Sequence, residues 1–245
     1  PVQLYIPKTA NLKADSVTTF FGVIADNSGS QVVTFEEPAT LSTSNGDFYF
    51  DKSLDLKPGT YRATLGLAAA DGKPVIATTA PLEVKELSPA KAGISRLILA
   101  NDIHQTDDAA PVGAPFAFGR VKIVPKGNGI FTNRDEISYF VEVVNPGLDE
   151  GTNLPKLQVK IELQAAAGKD GKPGRKIAAP PAEVAALPLT GMPGPGQYAV
   201  MAGIPLGQMK NPLPPGDYTF RVTVYDQVGK QNWTTEQKLK LIAAE

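Results

Sequence analysis

The sequence predicts an all-β protein built from two copies of one domain type, and three observations predict it. Residues 56–84 align without a gap to residues 213–241, so that Leu56, Pro58, Gly59, Tyr61, Gly72, Lys73, Thr78 and Leu82 recur as Leu213, Pro215, Gly216, Tyr218, Gly229, Lys230, Thr235 and Leu239. Within the copies, apolar and polar residues alternate. Tyr218, Phe220, Val222 and Val224 fall on one side, Thr219, Arg221 and Thr223 on the other, which is the period of a half-buried strand. No long apolar pattern of period 3.6 occurs, and 23 glycines and 22 prolines break the apolar runs into short pieces, as turn-rich β proteins do. The offset of 157 residues between the copies is too long for a solenoid or propeller period. It implies two domains.

The elements follow in order. The opening PVQLYIPKTANL reads as a strand; with no initiator Met and no signal peptide, it reads as the start of a processed or trimmed chain. SVTTFFGVIADNSG and DFYFDKSLDL read as further strands, with an Asn45-Gly46 turn signal before the second. Pro58-Gly59 then predicts a type II turn, Tyr61 opens the repeated strand, and Asp71-Gly72 closes a hairpin into the last strand. The stretch VKELSPAKAG, between Val84 and Gly93, marks a boundary, giving domains over 1–87 and 88–245.

In the second domain the strands are GISRLILAND, FAFGRVKIVP, EISYFVEVVNPG, KLQVKIELQ and QYAVMAGIPL, followed by the repeat with its Val228-Gly229 hairpin. Two insertions enlarge it: GLDEGTNLP, and a long Gly- and Pro-rich loop near 165–196. The one helical candidate, PAEVAALPL, is short and bounded by prolines. The repeated spacing L-x-P-G-x-Y places Tyr61 and Tyr218 where tyrosine corners sit in Greek-key sandwiches, with the hydroxyl bonding backbone a few residues upstream. The fold class is therefore two tandem immunoglobulin-like (fibronectin III-like) β-sandwiches, the second enlarged by loop insertions.

Composition removes several function classes. Twenty-four Lys and Arg against 25 Asp and Glu give a net charge of −1, little electrostatic reason for nucleic acid or an anionic membrane as a partner. The absence of cysteine and the presence of a single histidine exclude disulfides, thiolate chemistry and clustered-histidine metal sites. No apolar run approaches the roughly 20 residues that span a bilayer as a helix.

Candidate chemistry is sparse, and the sequence names no catalytic, cofactor-binding or metal-ligating residue. His104 lies beside Asp102, Asp107 and Asp108, a combination that serves a carboxylate-oriented base or a cation site, or simply a polar loop. Asn145, Asp149, Glu150 and Asn153 surround a Gly-containing loop without the D-x-D-x-D spacing of a calcium loop. Lys169, Lys172, Arg175 and Lys176 cluster in the long loop, a solvated turn or an anion contact. Trp233, the single tryptophan, is a candidate partner contact, although its repeat counterpart Ile76 argues for packing in the core.

One stretch resembles a known family. The Val124-Pro125 end of a basic-apolar strand, then Phe131, the Tyr139-Phe140 pair and Glu142-Val143-Val144-Asn145, together with Phe50, Leu54, Leu56, Pro58, Gly59 and Tyr61, resemble the β-sandwich region of bacterial secreted proteins related to GWxTD and von Willebrand-A domains. The GWxTD tetrapeptide and the metal-adhesion D-x-S-x-S string are absent from this chain. The resemblance implies tandem immunoglobulin-like sandwiches in an extracytoplasmic bacterial setting (periplasmic, cell-surface or secreted) and supplies no activity. The expectation is a non-enzymatic structural or protein-interaction module without cofactor, self-assembling or bound to a protein partner through edge strands and loops. The alternative is a carbohydrate-binding accessory module, for which a planar row of exposed aromatics is the mark.

Overall fold

A computed structural model describes the chain except residues 41, 45, 85–90, 112, 169–173, 190–194 and 245. It divides into two compact units, Pro1–Glu86 with Gly113–Phe116, and Leu87–Val112 with Ala117–Glu245. The boundary read between 87 and 88 lies outside the described residues.

The first unit is a sandwich of seven strands: β1 (Val2–Ile6), β2 (Thr19–Asp26), β3 (Gln31–Pro38), β4 (Ser42–Ser44), β5 (Asp47–Lys52), β6 (Gly59–Ala68) and β7 (Pro74–Val84). Strands β1-β5-β4 form one sheet and β3-β2-β6-β7 the other, with every pairing antiparallel. Period-two alternation sends Leu4, Ile6 and Phe50 of the first sheet onto Phe20, Leu65 and Leu67 of the second, and these close the core with Val17. The opening strand thus pairs within its own unit, antiparallel to β5 from Val2–Lys52 to Ile6–Phe48.

The second unit repeats this plan with additions. Its strands are β8 (Gly93–Ile94), β9 (Ile98–Gln105), β10 (Ala117–Phe118), β11 (Val121–Pro125), β12 (Ile130–Thr132), β13 (Glu136–Val144), β14 (Leu157–Ala165), β15 (Lys176–Ala178), β16 (Ala182–Val184), β17 (Leu187–Pro188), β18 (Gln197–Pro205), β19 (Gly216–Asp226) and β20 (Gln231–Ile242). One sheet runs β10-β11-β9-β13-β18-β17, with β8 also on β13. The other runs β12-β20-β19-β14-β15, with β16 also on β14. Leu99, Tyr139, Val141 and Val200 meet Val159, Phe220, Val222 and Leu241 across the core, and Tyr139 and Phe220 lie 5.7 Å apart. Offset by 157, β6 and β7 become β19 and β20, and the pairings then equate β1, β2 and β5 with β13, β14 and β18.

Two local expectations need correction, and the repeat hairpins, which close where the sequence places them, differ in detail. PAEVAALPL is not helical: Ala182–Val184 pairs with β14 and Leu187–Pro188 with β18, because prolines at 180, 181 and 188 disfavour a helix while strand partners stand ready. The long insertion is accordingly part strand, crossing from one sheet to the other. The Pro-Gly pairs do not make type II turns, since Gly59 and Gly216 open their strands at φ of 159° and 157°, nearly extended. The two repeat hairpins also differ. Gly72 takes the left-handed conformation in the first (φ 77°), but Lys230 takes it in the second (φ 51°). Gly229 is required there by closeness instead, because a Cβ on it would lie 2.3 Å from the Asp226 carboxylate.

Candidate functional site

The repeated tyrosines stand at equivalent corners. Tyr61 donates its hydroxyl to the Lys57 carbonyl at 2.8 Å and Tyr218 donates to that of Pro214 at 2.7 Å, each four residues upstream. Tyr218 is buried and Tyr61 half-exposed. Tyr218→Phe is therefore expected to cost about 1–2 kcal/mol, the value of a buried hydrogen bond whose acceptor is left behind, and Tyr61→Phe less. Denaturant midpoints of the two variants check the order.

The acids offered by the sequence mostly serve the backbone. Asp149 accepts the N–H groups of Gly151 and Thr152 at 3.2 and 3.1 Å and the Thr152 hydroxyl at 3.2 Å, and pairs with Lys156. The bond to Lys156 is the main cause that holds its carboxyl below the usual range. Asn145 and Asn153 adopt left-handed turn conformations (φ 45° and 54°) beside it. Asp226, buried at the β19 end, accepts Val228 and Gly229 N–H at 3.1 and 2.8 Å and, from the insertion after β13, Gly147 N–H at 2.7 Å. In the first unit Asp47, also buried, takes the Tyr5 hydroxyl and, at 2.9 Å, the Lys8 N–H. Among the described residues no three His, Asp or Glu side chains are placed to hold a metal ion.

His104 and Asp102 face each other at 2.7 Å on β9, and His104 lies across from Lys122 of β11. Both side chains are about half exposed (47% and 54%), on an open strand. Asp108 contributes its carbonyl, not its carboxylate, to the Thr106 hydroxyl at 2.6 Å. Of the basic loop cluster, Lys169 and Lys172 lie outside the described residues. Lys176 is drawn onto Glu162, which is 6% exposed and also meets Lys160 at 3.1 Å and Arg221 at 3.9 Å. Lys176 and Lys160 hold the Glu162 carboxyl below its ordinary value, and Arg221 turns two nitrogens to Glu236 at 2.9 and 2.7 Å. These cations neutralise acids on the sheet surface.

Glu142, named in the sequence only as part of the Glu-Val-Val-Asn stretch, is a further buried acid. It is 8% exposed, on β13 opposite Ala199 and between Phe140 and Val144 in the strand. Burial pushes its carboxyl up. Because the folded state binds this proton more tightly than the unfolded chain, stability falls as pH rises through the unfolded value of 4.5 toward the raised folded one. Glu142→Gln is expected to melt higher than the parent at about pH 7 and to lose that advantage once pH falls below the unfolded value. Melting curves from acid to neutral pH check it.

The aromatics do not line up. Trp233 faces Val224 across β19–β20 and packs, partly buried, against the second core, as its counterpart Ile76 packs against the first. That places it with the core and away from the outer face. By strand register, Tyr225 stands outward on the sheet of β19, Phe21 on that of β2, and Tyr5 and Tyr49 opposite one another on that of β1, with the Tyr5 hydroxyl held by Asp47. A Cβ on Gly66 would lie 2.4 Å from the Phe21 ring, so that ring lies down on the sheet.

The sheet edges remain. In the first unit β3 ends its sheet with Glu36, Glu37 and Pro38, and β7 carries Pro74, Pro81 and Glu83; charges and prolines are the usual defence of an exposed edge. β4, β10 and β17 are three residues or shorter. β1, Val-Gln-Leu-Tyr-Ile, carries neither charge nor proline.

No protein-family model matches the chain, and no curated protein matches it. Among solved structures, similarity is found to fibronectin(III)-like modules of Clostridium thermocellum CbhA (10% identity, 95% of this chain and 80% of that one, TM-score 0.21). It is found also to BcpA, the major pilin subunit of Bacillus cereus, as its D312A variant (11%, 95% and 67%, TM-score 0.24), and to the major pilin SpaD of Corynebacterium diphtheriae (10%, 92% and 59%, TM-score 0.22). Superpositions this loose carry no conclusion, and the sandwich architecture stands on the sheets and cores of the chain itself. Among the described residues no helix is long and apolar enough to cross a membrane.

Proposed function

We propose that this chain is a non-enzymatic structural or protein-interaction module, built as two sandwiches and acting outside the cytoplasm through strand edges and loop ends. The observation that carries the reading is where the buried and turn carboxylates point. Asp47, Asp149 and Asp226 accept backbone N–H groups at turns, and Glu162 is ringed by three cations. Polar groups are used to fix loop geometry, as in a scaffold. The extracytoplasmic setting is supported by the resemblance of the strand and turn residues to secreted bacterial sandwiches.

Thermal unfolding against a panel of calcium, zinc, nucleotides, phosphate and oligosaccharides at millimolar concentration tests the reading. A ligand at 100 times its Kd adds about 2.7 kcal/mol, several degrees in Tm. The expected result is no shift above about 1 °C for any member. A shift of several degrees with calcium or a sugar would replace the module by a ligand-binding domain.

A further inference from the structure

We propose that the groove beside each tyrosine corner is a docking site for carboxylate side chains, taking an acidic segment of a protein partner. The inference rests on the module reading above and names the chemistry of its partner.

The duplication builds the same concavity twice. In the first unit a groove of about 800 Å³ lies on β6 and β7 against the β2–β3 turn, and in the second a groove of about 440 Å³ lies on β19 and β20. Thr60, Tyr61, Arg62 and Pro81 line the first, and their repeat counterparts Asp217, Tyr218, Thr219 and Lys238 line the second. Volumes of this order are those of ligand sites.

A cation is kept while the residue that carries it changes. Arg62 stands opposite Pro81 in the β6–β7 ladder, and at the equivalent rung of β19–β20 Thr219 stands opposite Lys238. One positive charge thus occupies the same rung in both units, carried by β6 in one and by β20 in the other. The next rung behaves differently. Thr64 and Thr79 share a hydrogen bond at 2.9 Å there in the first unit, whereas Arg221 and Glu236 form an ion pair at 2.7 Å in the second. Charge brought into that rung came with its neutraliser.

The groove cations have none. Among the described residues Arg62, Lys238 and Lys240 are exposed and form no ion pair, although Lys160, Lys176 and Arg221, on the same sheet face as Lys238, all meet acids. The acid of the first groove, Asp26, is engaged by its own turn: it accepts the Ser28 N–H at 2.8 Å, the Ser28 hydroxyl at 2.6 Å and the Ser30 N–H at 3.1 Å. In the second groove Asp217 faces Lys240 in the ladder, which leaves Lys238 in surplus. Charge complementarity therefore selects an anion. One exposed cation holds a free anion only weakly. A peptide adds backbone hydrogen bonds on either side of its carboxylate, for which Asn27 and Thr60 line the first groove and Thr219 the second.

Amide NMR spectra of the full chain, titrated at low salt with a short peptide of alternating glutamate and glycine to about 5 mM, test the inference. The expected result is saturable shifts with a Kd of about 1 mM, clustered at Thr60, Arg62 and Thr79 and at Asp217, Thr219 and Lys238. They should shrink at least about fivefold in about 0.5 M salt. Arg62→Thr should abolish the shifts of the first groove and spare those of the second. Adding Pro81→Lys to that variant should restore them, because the pair then reproduces the rung of the second unit. All these positions are exposed or half-exposed, and the unshifted remainder of each spectrum reports an intact fold. No shifts at the top of the titration, shifts that map elsewhere, shifts that survive Arg62→Thr or that Pro81→Lys fails to restore, and equal shifts from a glutamine–glycine peptide each overturn the inference. So does sodium phosphate that matches the acidic peptide at equal charge, which would make the grooves simple anion sites. Those failures leave the module reading standing, since that reading falls only to a ligand in the thermal panel.

Discussion

Removal of residues 1–7 is expected to unfold the first unit and leave the second folded. The deletion takes away Leu4 and Ile6, 2% and 0% exposed, from a core cluster with seven buried members among the described residues. It also strips β5 of its antiparallel partner along five residue pairs, reducing a three-stranded sheet to β5 with the three-residue β4. Losing each large buried aliphatic costs about 2–5 kcal/mol, and the pair matches the whole stability of a small domain. Hydrogen exchange checks the outcome unit by unit, with β2, β5 and β6 losing protection while β13, β14 and β19 keep theirs. Unchanged protection in β2 and β6 would mean that the opening strand is decoration and not structure.

Asp226→Ala is expected to give the largest single-residue loss in the second unit, about 3–5 kcal/mol. The carboxylate, 2% exposed, receives three backbone N–H groups, two from the β19–β20 hairpin and one from Gly147, 79 residues away in sequence. Alanine removes the one acceptor that these three partly buried turn donors share. The packing is tight: a Cβ on Gly147 would meet the Gly229 nitrogen at 2.4 Å, so the two turns have little freedom to move and find other partners. Asp226→Asn, which keeps one acceptor oxygen, should fall between parent and alanine. Denaturant midpoints at constant m-value measure the series, and a loss under about 1 kcal/mol for alanine would show that the turns are held otherwise.

The repeat explains why so much of the fold was legible. The L-x-P-G-x-Y signature leads into β6 and β19, whose apolar and polar residues alternate in sequence, and each pairs with two neighbours in its sheet. β3 follows an Asn-Ser-Gly turn but carries no clear strand signal, because its alternation ends in two glutamates and a proline, residues typical of loops. β12, three residues lying parallel to β20, has no local pattern at all; its place is set by a partner over a hundred residues on. PAEVAALPL failed for the same reason in reverse, its alanines favouring helix while β14 and β18 imposed extension.

The candidate site was less legible. His104 and Asp102 do come together, but on an open strand, which sequence proximity alone cannot distinguish from a cleft. Trp233 followed its repeat counterpart inward. Asp226 carries no signal in the sequence, because one of its donors, Gly147, is 79 residues away. Glu142 sits in the motif Glu-Val-Val-Asn, where alternation gives it the face opposite the core-facing Val141 and Val143; its burial there follows from tertiary cover, which no local pattern records.

The measurement that bears most directly on assembly through sheet edges is the solution mass of the intact chain as concentration is raised. The expected result is a reversible rise from 25.9 kDa toward the dimer. A mass fixed at 25.9 kDa up to 1 mM would contradict self-assembly through strand edges and leave the loop ends as the surfaces to test.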